Sequence, residues 1–453
     1  MTEFTPPEVT SRAKPVPRDD RVRGLDLLRG IAIYGILVVN IQIMFVPILF
    51  ENYPAGIVPG ERFGDLVWFL VRGLFEFKFI TLFSMLFGVG FWIQWSKWKS
   101  KERSGFAKFY LWRLFLLLGF GVLHGTLLYF GDILTSYAVA GVGLLLLRSV
   151  EIKSRLFIAG GMAVGMSLLL FGLTQFDMGD RIEETETARE TAAVLNDYRD
   201  TGQIVYGDSV VTLPLGKDEV VGTLLKLADI SPPAEVAIVE TVVFAQGPNR
   251  WTLVFRTSIY LLFTLSTLPF YVLWRALAAF LIGTVLAEMQ IWNRAREDRF
   301  LQVSLALFIG GVVLALVAAY ARYFGAYQSG LVAGLGYSLQ DLSAYPMALG
   351  IGGLTMRWAS GTAAQALREG LEAVGRTALS NYIGQSFVTM MIATSVGLGL
   401  YGTLTQLQLL ALATGIFLAQ IVLSVAWLKV FRFGLLEWVW RCLTYRTLLP
   451  LRR

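Results

Sequence analysis

The chain has 453 residues, of which 55% are hydrophobic and 16% are charged, and its 39 basic and 33 acidic side chains give a net charge of +6. A soluble domain is about 45–50% apolar and about 25% charged, so this composition excludes an ordinary soluble enzyme, a disordered chain and a disulfide scaffold. Together with a mean hydropathy of +0.60, it predicts an all-α, polytopic transmembrane helix bundle in a lipid bilayer.

Charge and ligand counts narrow the class of protein further. A positive excess is typical of the cytoplasmic loops of membrane proteins, and no basic, aromatic-interleaved motif indicates nucleic-acid binding. The chain has one cysteine, Cys442, and one histidine, His124. These counts exclude an intrachain disulfide and a metal site built from several His or Cys ligands. We expect no metal, although a cation site made of carboxylates alone stays open.

The chain alternates between apolar and polar stretches. Residues 1–28 are polar and charged without an early apolar core, so we expect a cytoplasmic tail rather than a cleavable signal peptide. Eleven apolar segments follow, at 30–50, 78–96, 109–129, 132–148, 155–173, 253–273, 275–291, 301–321, 337–356, 378–400 and 406–430. They predict a first transmembrane bundle over 29–173 with about five spans, an external polar segment at 174–250, a second bundle over 251–430, and a basic cytoplasmic tail at 431–453.

The distribution of basic residues predicts the topology. Lys and Arg crowd six short stretches, at 12–29, 97–103, 148–155, 294–299, 357–376 and 429–453. Placing all six in the cytoplasm requires an even number of crossings, so we expect about ten spans with both termini cytoplasmic. The pair 253–291 then crosses once, with 253–273 in the interface or re-entrant. Segment 174–250 becomes an inserted cap or a loosely ordered loop, and its run 181–199 is typical of a solvated helix.

The first span carries a polar stripe. Asp26 and Arg29 are three residues apart and share a helical face. Asn40 follows Arg29 by eleven residues, which places it on nearly the same face about 16 Å further along. The stripe indicates either a polar path from the cytoplasmic side, or an Asp26 that favours the helix dipole beside an anchoring Arg29.

The third apolar segment contains His124, with Asp132 eight residues later. A neutral imidazole oriented by a carboxylate is a competent general base. The same residues also fit a structural histidine bonded to a carbonyl, with Asp132 capping the next helix, or a proton relay. Glycines nearby, at Gly119, Gly121 and Gly125, favour close helix packing.

Three further polar spots lie in apolar segments. Glu76 and Lys78 flank Phe77 and form either a partly buried pair or an interfacial anchor. Pro346 follows a group of polar residues and could break its helix; that group is Gln340, Asp341 and Tyr345. The entry to the tenth segment is unusually polar, with Arg376, Asn381, Tyr382 and Gln385. The spacing of Asn381 and Gln385 fits a substrate-facing surface or interhelical hydrogen bonds.

Four blocks of this sequence resemble the YeiB-like family of bacterial membrane proteins. The blocks are Arg23–Gly30 running on to Val39-Asn40; Lys78-Phe79 with Leu82–Gly88; Leu123–Leu134 with Tyr137-Ala138; and Gly375–Tyr382 with Gln385-Ser386. That family is more distantly similar to transmembrane acyltransferases such as the lysosomal heparan-alpha-glucosaminide N-acetyltransferase. The resemblance implies a protein of the bacterial inner membrane that moves an acyl group from cytoplasmic acyl-CoA, such as acetyl-CoA, to an acceptor outside, a sugar or a small amine or hydroxyl compound.

The resemblance also assigns roles to residues. Asp26 and Arg29 match the family's first-helix motif, and His124 matches its histidine, which implies a catalytic role for His124. The histidine then either deprotonates an acceptor hydroxyl or amine or carries the acyl group itself, and Asp132 or a backbone carbonyl sets its tautomer. Basic side chains suit CoA phosphates, and the candidates for cofactor binding are Arg29, Lys78, Arg113 and Arg376, together with Asp26 of the first-helix motif. Asn40, Asn381, Tyr382 and Gln385 are the candidates for contacting substrate or an oxyanion.

The residues leave three functions in competition. An acyltransferase predicts a tunnel wide enough for a pantetheine arm and a polar recess around His124. A small-metabolite transporter predicts a midplane site at helices broken near Pro269 or Pro346. A membrane scaffold predicts a tightly packed bundle without a continuous polar path. Small-residue faces permit a homodimer without requiring one.

Overall fold

A computed structural model describes residues 23–48, 64–102, 104–176, 235–328 and 330–453, with short stretches between 191 and 222. The described chain is a bundle of helices, which confirms the predicted all-α class. The helices are α1 (Arg23–Phe45), α2 (Gly64–Leu74), α3 (Lys78–Lys99), α4 (Phe106–Leu127), α5 (Leu134–Leu146), α6 (Ile152–Phe176), α7 (Glu235–Gln246), α8 (Asn249–Ser266), α9 (Leu273–Glu288), α10 (Asp298–Gln328), α11 (Gly330–Ala359), α12 (Gln365–Arg376), α13 (Ala378–Ala393), α14 (Gln406–Val430) and α15 (Leu435–Tyr445).

Short elements complete the described architecture. Two three-residue strands, β1 (Ile204–Tyr206) and β2 (Ser209–Val211), pair antiparallel, with Val205 opposite Val210. A π-helical turn, Leu268–Val272, joins α8 to α9, and a 3₁₀ turn, Ile291–Arg294, follows α9. All eleven predicted apolar segments coincide with described helices because a long apolar run in lipid satisfies its backbone only by helix formation.

Seven of the described helical segments are long and apolar enough to cross a membrane. They are Gly24–Phe45, Gly64–Lys99, Phe106–Leu127, Ile152–Gln175, Leu268–Glu288, Asp298–Tyr323 and Gln406–Val430. Of the pair 253–291, only the second half belongs to this set, as the expectation of a single crossing requires. The chain is therefore a multi-pass membrane protein, while the count of ten spans and the cytoplasmic termini stay predictions.

The bundle has a buried centre and a lipid-exposed periphery. In its most apolar window α1 is 67% buried, whereas the windows of α6 and α10 are 17% buried. Close backbone approach fixes the centre: a Cβ atom added at Gly88 would lie 2.0 Å from the carbonyl oxygen of Phe280, and one at Gly283 would lie 1.9 Å from that of Met85. Helices α3 and α9 therefore pack backbone against backbone at these two glycines.

Two expectations change in the structure. Pro346 does not end its helix, since α11 continues through it from Gly330 to Ala359. Within the segment expected to be polar, 174–250, the last part is the apolar helix α7, whose Val236, Ala237 and Val242 are buried. Most of the predicted solvated helix at 181–199, and the tail before Arg23, lie outside the described residues.

Candidate functional site

His124 and Asp132 form a buried pair at the end of α4. Nδ1 of His124 lies 2.8 Å from Oδ1 of Asp132, and both side chains are fully buried. Nε2 of His124 has no hydrogen-bond partner among the described residues. A neutral imidazole whose Nδ1–H donates to the carboxylate presents the Nε2 lone pair as a base. The pair therefore has the geometry that orients a histidine for proton transfer.

Local structure positions this pair. The backbone N–H groups of Leu128 and Tyr129 both donate to the carbonyl oxygen of His124, so α4 ends in a tight turn at the histidine. Oδ2 of Asp132 accepts the backbone N–H of Thr135 at 2.7 Å, in the first turn of α5. The aspartate thus holds the histidine with one oxygen and caps α5 with the other.

Helix α8 supports the pair from the side. The hydroxyl groups of Tyr260 and Thr135 share a hydrogen bond of 2.9 Å. Arg256 donates to the carbonyl oxygen of Leu127 at 2.6 Å, which satisfies an acceptor at the C-terminus of α4. Sequence reasoning gave Tyr260 no role, because a tyrosine in an apolar segment carries no signal that distinguishes it from a packing residue.

Two predicted site residues from distant parts of the chain are connected to His124, Tyr382 directly and Asn40 through Tyr129. The ring of Tyr382, on α13, lies 4.9 Å from the imidazole. The hydroxyl of Tyr129 donates to Oδ1 of Asn40 at 3.4 Å, and its ring lies 6.2 Å from the imidazole. The structure therefore brings His124, Asp132 and Tyr382 together, with Asn40 connected through Tyr129.

Asn381 and Gln385 make interhelical hydrogen bonds instead. Nδ2 of Asn381 donates to Oγ of Ser424 at 3.0 Å, and Nε2 of Gln385 donates to Oε1 of Gln420 at 2.7 Å. Gln420 in turn donates to the carbonyl oxygen of Asn381 at 2.9 Å. These contacts join α13 to α14, which favours the interpretation of both residues as packing contacts.

The predicted cofactor-binding residues separate into two groups. Asp26 and Arg29 form an ion pair of 2.5 Å. A Cβ atom added at Gly375 would lie 1.8 Å from the carbonyl oxygen of Asp26. The backbone of α12 therefore contacts α1 beside this pair, and Arg376 is the next residue of α12. The structure thus gathers three of the candidates at one helix crossing.

Arg113 and Lys78 lie elsewhere. The guanidinium of Arg113 lies 4.5 Å from the centre of the Trp440 ring, under the C-terminal helix α15. Lys78 is fully buried at the start of α3 rather than anchored in an interface. No group of three or more His, Cys, Asp or Glu side chains that could hold a metal occurs within the part of the chain that the structure describes.

Comparisons with known proteins identify relatives along almost the whole chain. The uncharacterised protein YxaH of Bacillus subtilis (strain 168) is 28% identical over 460 residues, which cover 98% of this chain and 99% of the relative. The uncharacterised protein YeiB of Escherichia coli (strain K12) is 28% identical over 439 residues, 94% of this chain and 97% of the relative. The chain is thus similar to YeiB along almost its whole length, which confirms the family resemblance.

A family model and one further relative also match this chain. The family described as "Protein of unknown function (DUF418)" matches residues 286–447, a range that includes Arg376, Asn381 and Tyr382 but not the His124–Asp132 pair. An uncharacterised 39.9 kDa protein in the amylase 3' region of Bacillus acidopullulyticus is 25% identical over 450 residues, 96% of this chain and 97% of the relative. No solved structure matches the chain.

Proposed function

We propose that this YeiB-like protein is an acyltransferase of the bacterial inner membrane that uses acyl-CoA, in the first instance acetyl-CoA, as donor. The observation that carries the proposal is the buried His124–Asp132 pair, whose Nε2 has no partner among the described residues. A buried histidine whose Nδ1 is held by a carboxylate and whose Nε2 is unpartnered is well arranged for general-base catalysis of acyl transfer.

In the proposed reaction, Nε2 of His124 accepts the proton of an acceptor hydroxyl or amine. The oxygen or nitrogen of the acceptor bonds to the acyl carbon, and the carbon–sulfur bond of the thioester breaks. The leaving thiolate of CoA takes the proton from the imidazole, which returns His124 to its neutral state. Asp132 stabilises the imidazolium between these steps, and the N–H donors of the Asn40 side chain are suited to the developing oxyanion.

The donor would enter from the cytoplasmic end of α1. Arg29, whose side chain is 31% exposed, and the neighbouring Arg376 supply positive charge for the phosphates of CoA. Asn40 lies about 16 Å further along the same helix, so α1 would align the donor between the phosphate-binding end and His124. Since Asn381 and Gln385 are engaged with α14, we assign them no contact with substrate.

The test is acetyl transfer by the purified, detergent-solubilised protein supplied with radiolabelled acetyl-CoA. We expect free CoA to be released, or label to be retained on the protein, by the wild type and not by His124→Ala. Leu123→Ala is the matched control because Leu123 is the neighbouring residue of α4 and its side chain is exposed to lipid. Absence of acetyl-CoA binding by the wild type would contradict the acetyl form of the proposal.

A transporter is the second candidate, because two helices of the bundle are interrupted. The stretch Gly64–Lys99 breaks between α2 and α3, where Phe77 has a positive φ of 66°, and a π-helical turn separates α8 from α9. Interrupted helices inside a bundle are typical of transporter binding sites. Uptake or release of a labelled metabolite by sealed vesicles, unchanged in His124→Ala, would favour this candidate over the enzyme.

A further inference from the structure

The two interrupted helices meet each other inside the bundle. The break between α2 and α3 lies within the continuous apolar stretch Gly64–Lys99. Nη2 of Arg275, in the first turn of α9, donates to the carbonyl oxygen of Phe77 in this break at 3.3 Å. The rings of Phe77 and Tyr271, which belongs to the π-helical turn, lie 6.3 Å apart. We call this meeting point the helix-break junction.

Six ionisable side chains are buried at the helix-break junction. They are Arg72, Glu76, Lys78, Arg275, Arg322 and Asp341, each no more than 7% exposed. Four of the six are basic and two are acidic. A charged side chain at membrane depth is costly unless it is paired, so the positions of the two carboxylates decide which basic groups are neutralised.

The carboxylates are already engaged by the three arginines and by hydroxyl groups. Oε1 of Glu76 accepts from Arg72 at 2.9 Å, and Oε2 of Glu76 accepts from Arg322. Oδ1 of Asp341 accepts from Arg275 at 2.5 Å and from the Tyr271 hydroxyl at 3.0 Å. Its Oδ2 accepts from the hydroxyl of Ser167 at 3.0 Å. Each carboxylate oxygen of the junction thus accepts at least one hydrogen bond, and none of these bonds comes from Lys78.

Lys78 is the remaining basic group. Its side chain is 0% exposed, and its Nζ makes no hydrogen bond with any described residue. The charged groups that it faces are Glu76, Arg275, Arg322 and Asp341, so the amine points into the junction. Lys78 is also the first residue of α3, and the dipole of this helix adds partial positive charge at its N-terminus.

We propose that the helix-break junction is a binding site for an oxyanion, either a carboxylate or a phosphate group, held by Nζ of Lys78 and the backbone N–H groups of Phe79 and Ile80. The N–H of Lys78 itself already donates to the carbonyl oxygen of Phe75. Such an anion supplies the acceptors that Lys78 lacks and offsets the excess of basic groups. A helix N-terminus with a lysine beside it is a suitable site for this chemistry. The site does not include His124, and the proposal does not depend on acyl transfer.

Equilibrium dialysis of the full-length protein in detergent tests this proposal, with radiolabelled inorganic phosphate and radiolabelled acetate as separate probes at constant ionic strength. We expect saturable binding of at least one probe by the wild type. The affinity of Lys78→Met should fall roughly 10–100-fold, since a hydrogen bond to a charged group contributes about 1.5–3 kcal/mol. Lys78→Arg should retain binding because it keeps the charge.

Two further variants complete the design. Lys153→Met removes the same charge from an exposed position at the start of α6 and should bind like the wild type. Lys78→Gln keeps a polar side chain and replaces Lys78→Met if that variant does not fold. Binding of phosphate alone identifies a phosphate site, and binding of acetate alone identifies a carboxylate site. Failure of the wild type to bind either probe, or equal binding by the wild type and both neutral Lys78 variants, would overturn the proposal.

Discussion

At the scale of single residues, Asp132 performs two tasks that sequence patterns present as alternatives. One carboxylate oxygen lies 2.8 Å from Nδ1 of His124, and the other accepts the N–H of Thr135 at 2.7 Å. The same side chain thus orients the histidine and caps α5. A change at Asp132 can therefore affect catalysis and helix stability separately, and the two effects have different readouts.

The variant Asp132→Asn separates these effects. An asparagine oxygen can still accept the Thr135 N–H, but the amide does not stabilise an imidazolium or fix the tautomer in the same way. We expect acyl transfer to fall by about 10²–10⁴-fold, with little change in melting temperature. The measurement is initial rate and thermal unfolding on the same preparation, and an unchanged rate would remove Asp132 from the proposed mechanism.

Glu240 gives a prediction for pH. It is buried on α7, where Oε1 accepts from the Tyr401 hydroxyl at 2.7 Å and Oε2 accepts from the Ile48 N–H at 3.1 Å. Burial raises the pKa of this carboxyl from 4.5 to about 7. Because the folded pKa is above the unfolded value, its stabilising contribution is complete below the unfolded pKa and is lost as pH rises through about 7.

The corresponding experiment compares melting temperatures of the wild type and Glu240→Gln between about pH 5 and pH 8. The wild type should lose stability relative to the variant as pH rises, since glutamine does not ionise. Parallel profiles for the two proteins would mean that Glu240 does not titrate in this range.

Single residues also mark the limits of sequence reasoning at the candidate site. His124 and Asp132 could be selected because ionisable groups in apolar segments are rare. Tyr382 could be selected from the polar entry to its segment and from the family motif, but neither predicts its contact with His124. The roles of Asn381 and Gln385 could not be resolved, because spacing along α13 fixes a shared face but not the element that this face contacts. Lys78 directly follows a helix break that depends on the positive φ of Phe77. The sequence does not predict this φ, because no residue type in the segment requires it.

At the scale of elements, close packing of α4 against the start of α5 maintains the site. A Cβ atom added at Gly121 would lie 2.4 Å from the backbone nitrogen of Thr135 and 2.7 Å from Oδ2 of Asp132. One added at Gly125 would lie 2.2 Å from the ring of Tyr260. Gly119, on the same helix, would meet nothing within 4 Å. The glycines predicted to permit close packing therefore do so at two of three positions.

These three positions provide a matched pair of variants. Gly121→Ala should destabilise the protein by about 1–3 kcal/mol through overpacking and should reduce activity by displacing Asp132. Gly119→Ala should be neutral or stabilising, since alanine favours a helix by about 1 kcal/mol over glycine. Thermal unfolding in detergent measures both variants, and equal melting temperatures would contradict the packing described for Gly121.

The C-terminal helix α15 fixes the start of α13 through Glu437. Oε1 of Glu437 accepts the N–H of Leu379 at 2.6 Å, and Oε2 accepts the Ser380 hydroxyl at 2.5 Å. We expect Glu437→Ala to destabilise the protein by about 0.5–2 kcal/mol, as loss of a helix cap does. Glu369→Ala, at an exposed position of α12, is the control, and an equal melting temperature for the two variants would argue against this cap.

Elements were predictable where a long apolar run dictates a helix, as for α1, α6 and α14. Helix α7 was missed because it has 12 residues, too few to span, and lies in a stretch rich in acidic side chains. The interruption between α2 and α3 was missed because only the second part of Gly64–Lys99 was recognised as a span. The continuity of α11 through Pro346 depends on neighbouring helices, which the local sequence does not contain.

At the scale of the whole molecule, α1 connects the features on which the proposed function rests. Its N-terminal end carries the Asp26–Arg29 pair beside α12, and Asn40 near its other end contacts Tyr129 next to His124. The comparisons extend over 94–98% of the chain for YxaH and YeiB, so any activity established here would bear on those relatives. The helix-break junction is a separate buried feature with its own test.

The most direct test of the central claim uses bacterial membrane vesicles that contain the protein, because they also supply native acceptors. Radiolabelled acetyl-CoA is added, and both the free CoA thiol and the label transferred to other molecules are followed over time. Our account predicts that both rise above vesicles without the protein, that both are lost in His124→Gln, and that Leu123→Ala behaves like the wild type. Equal transfer by the wild type and His124→Gln would contradict it.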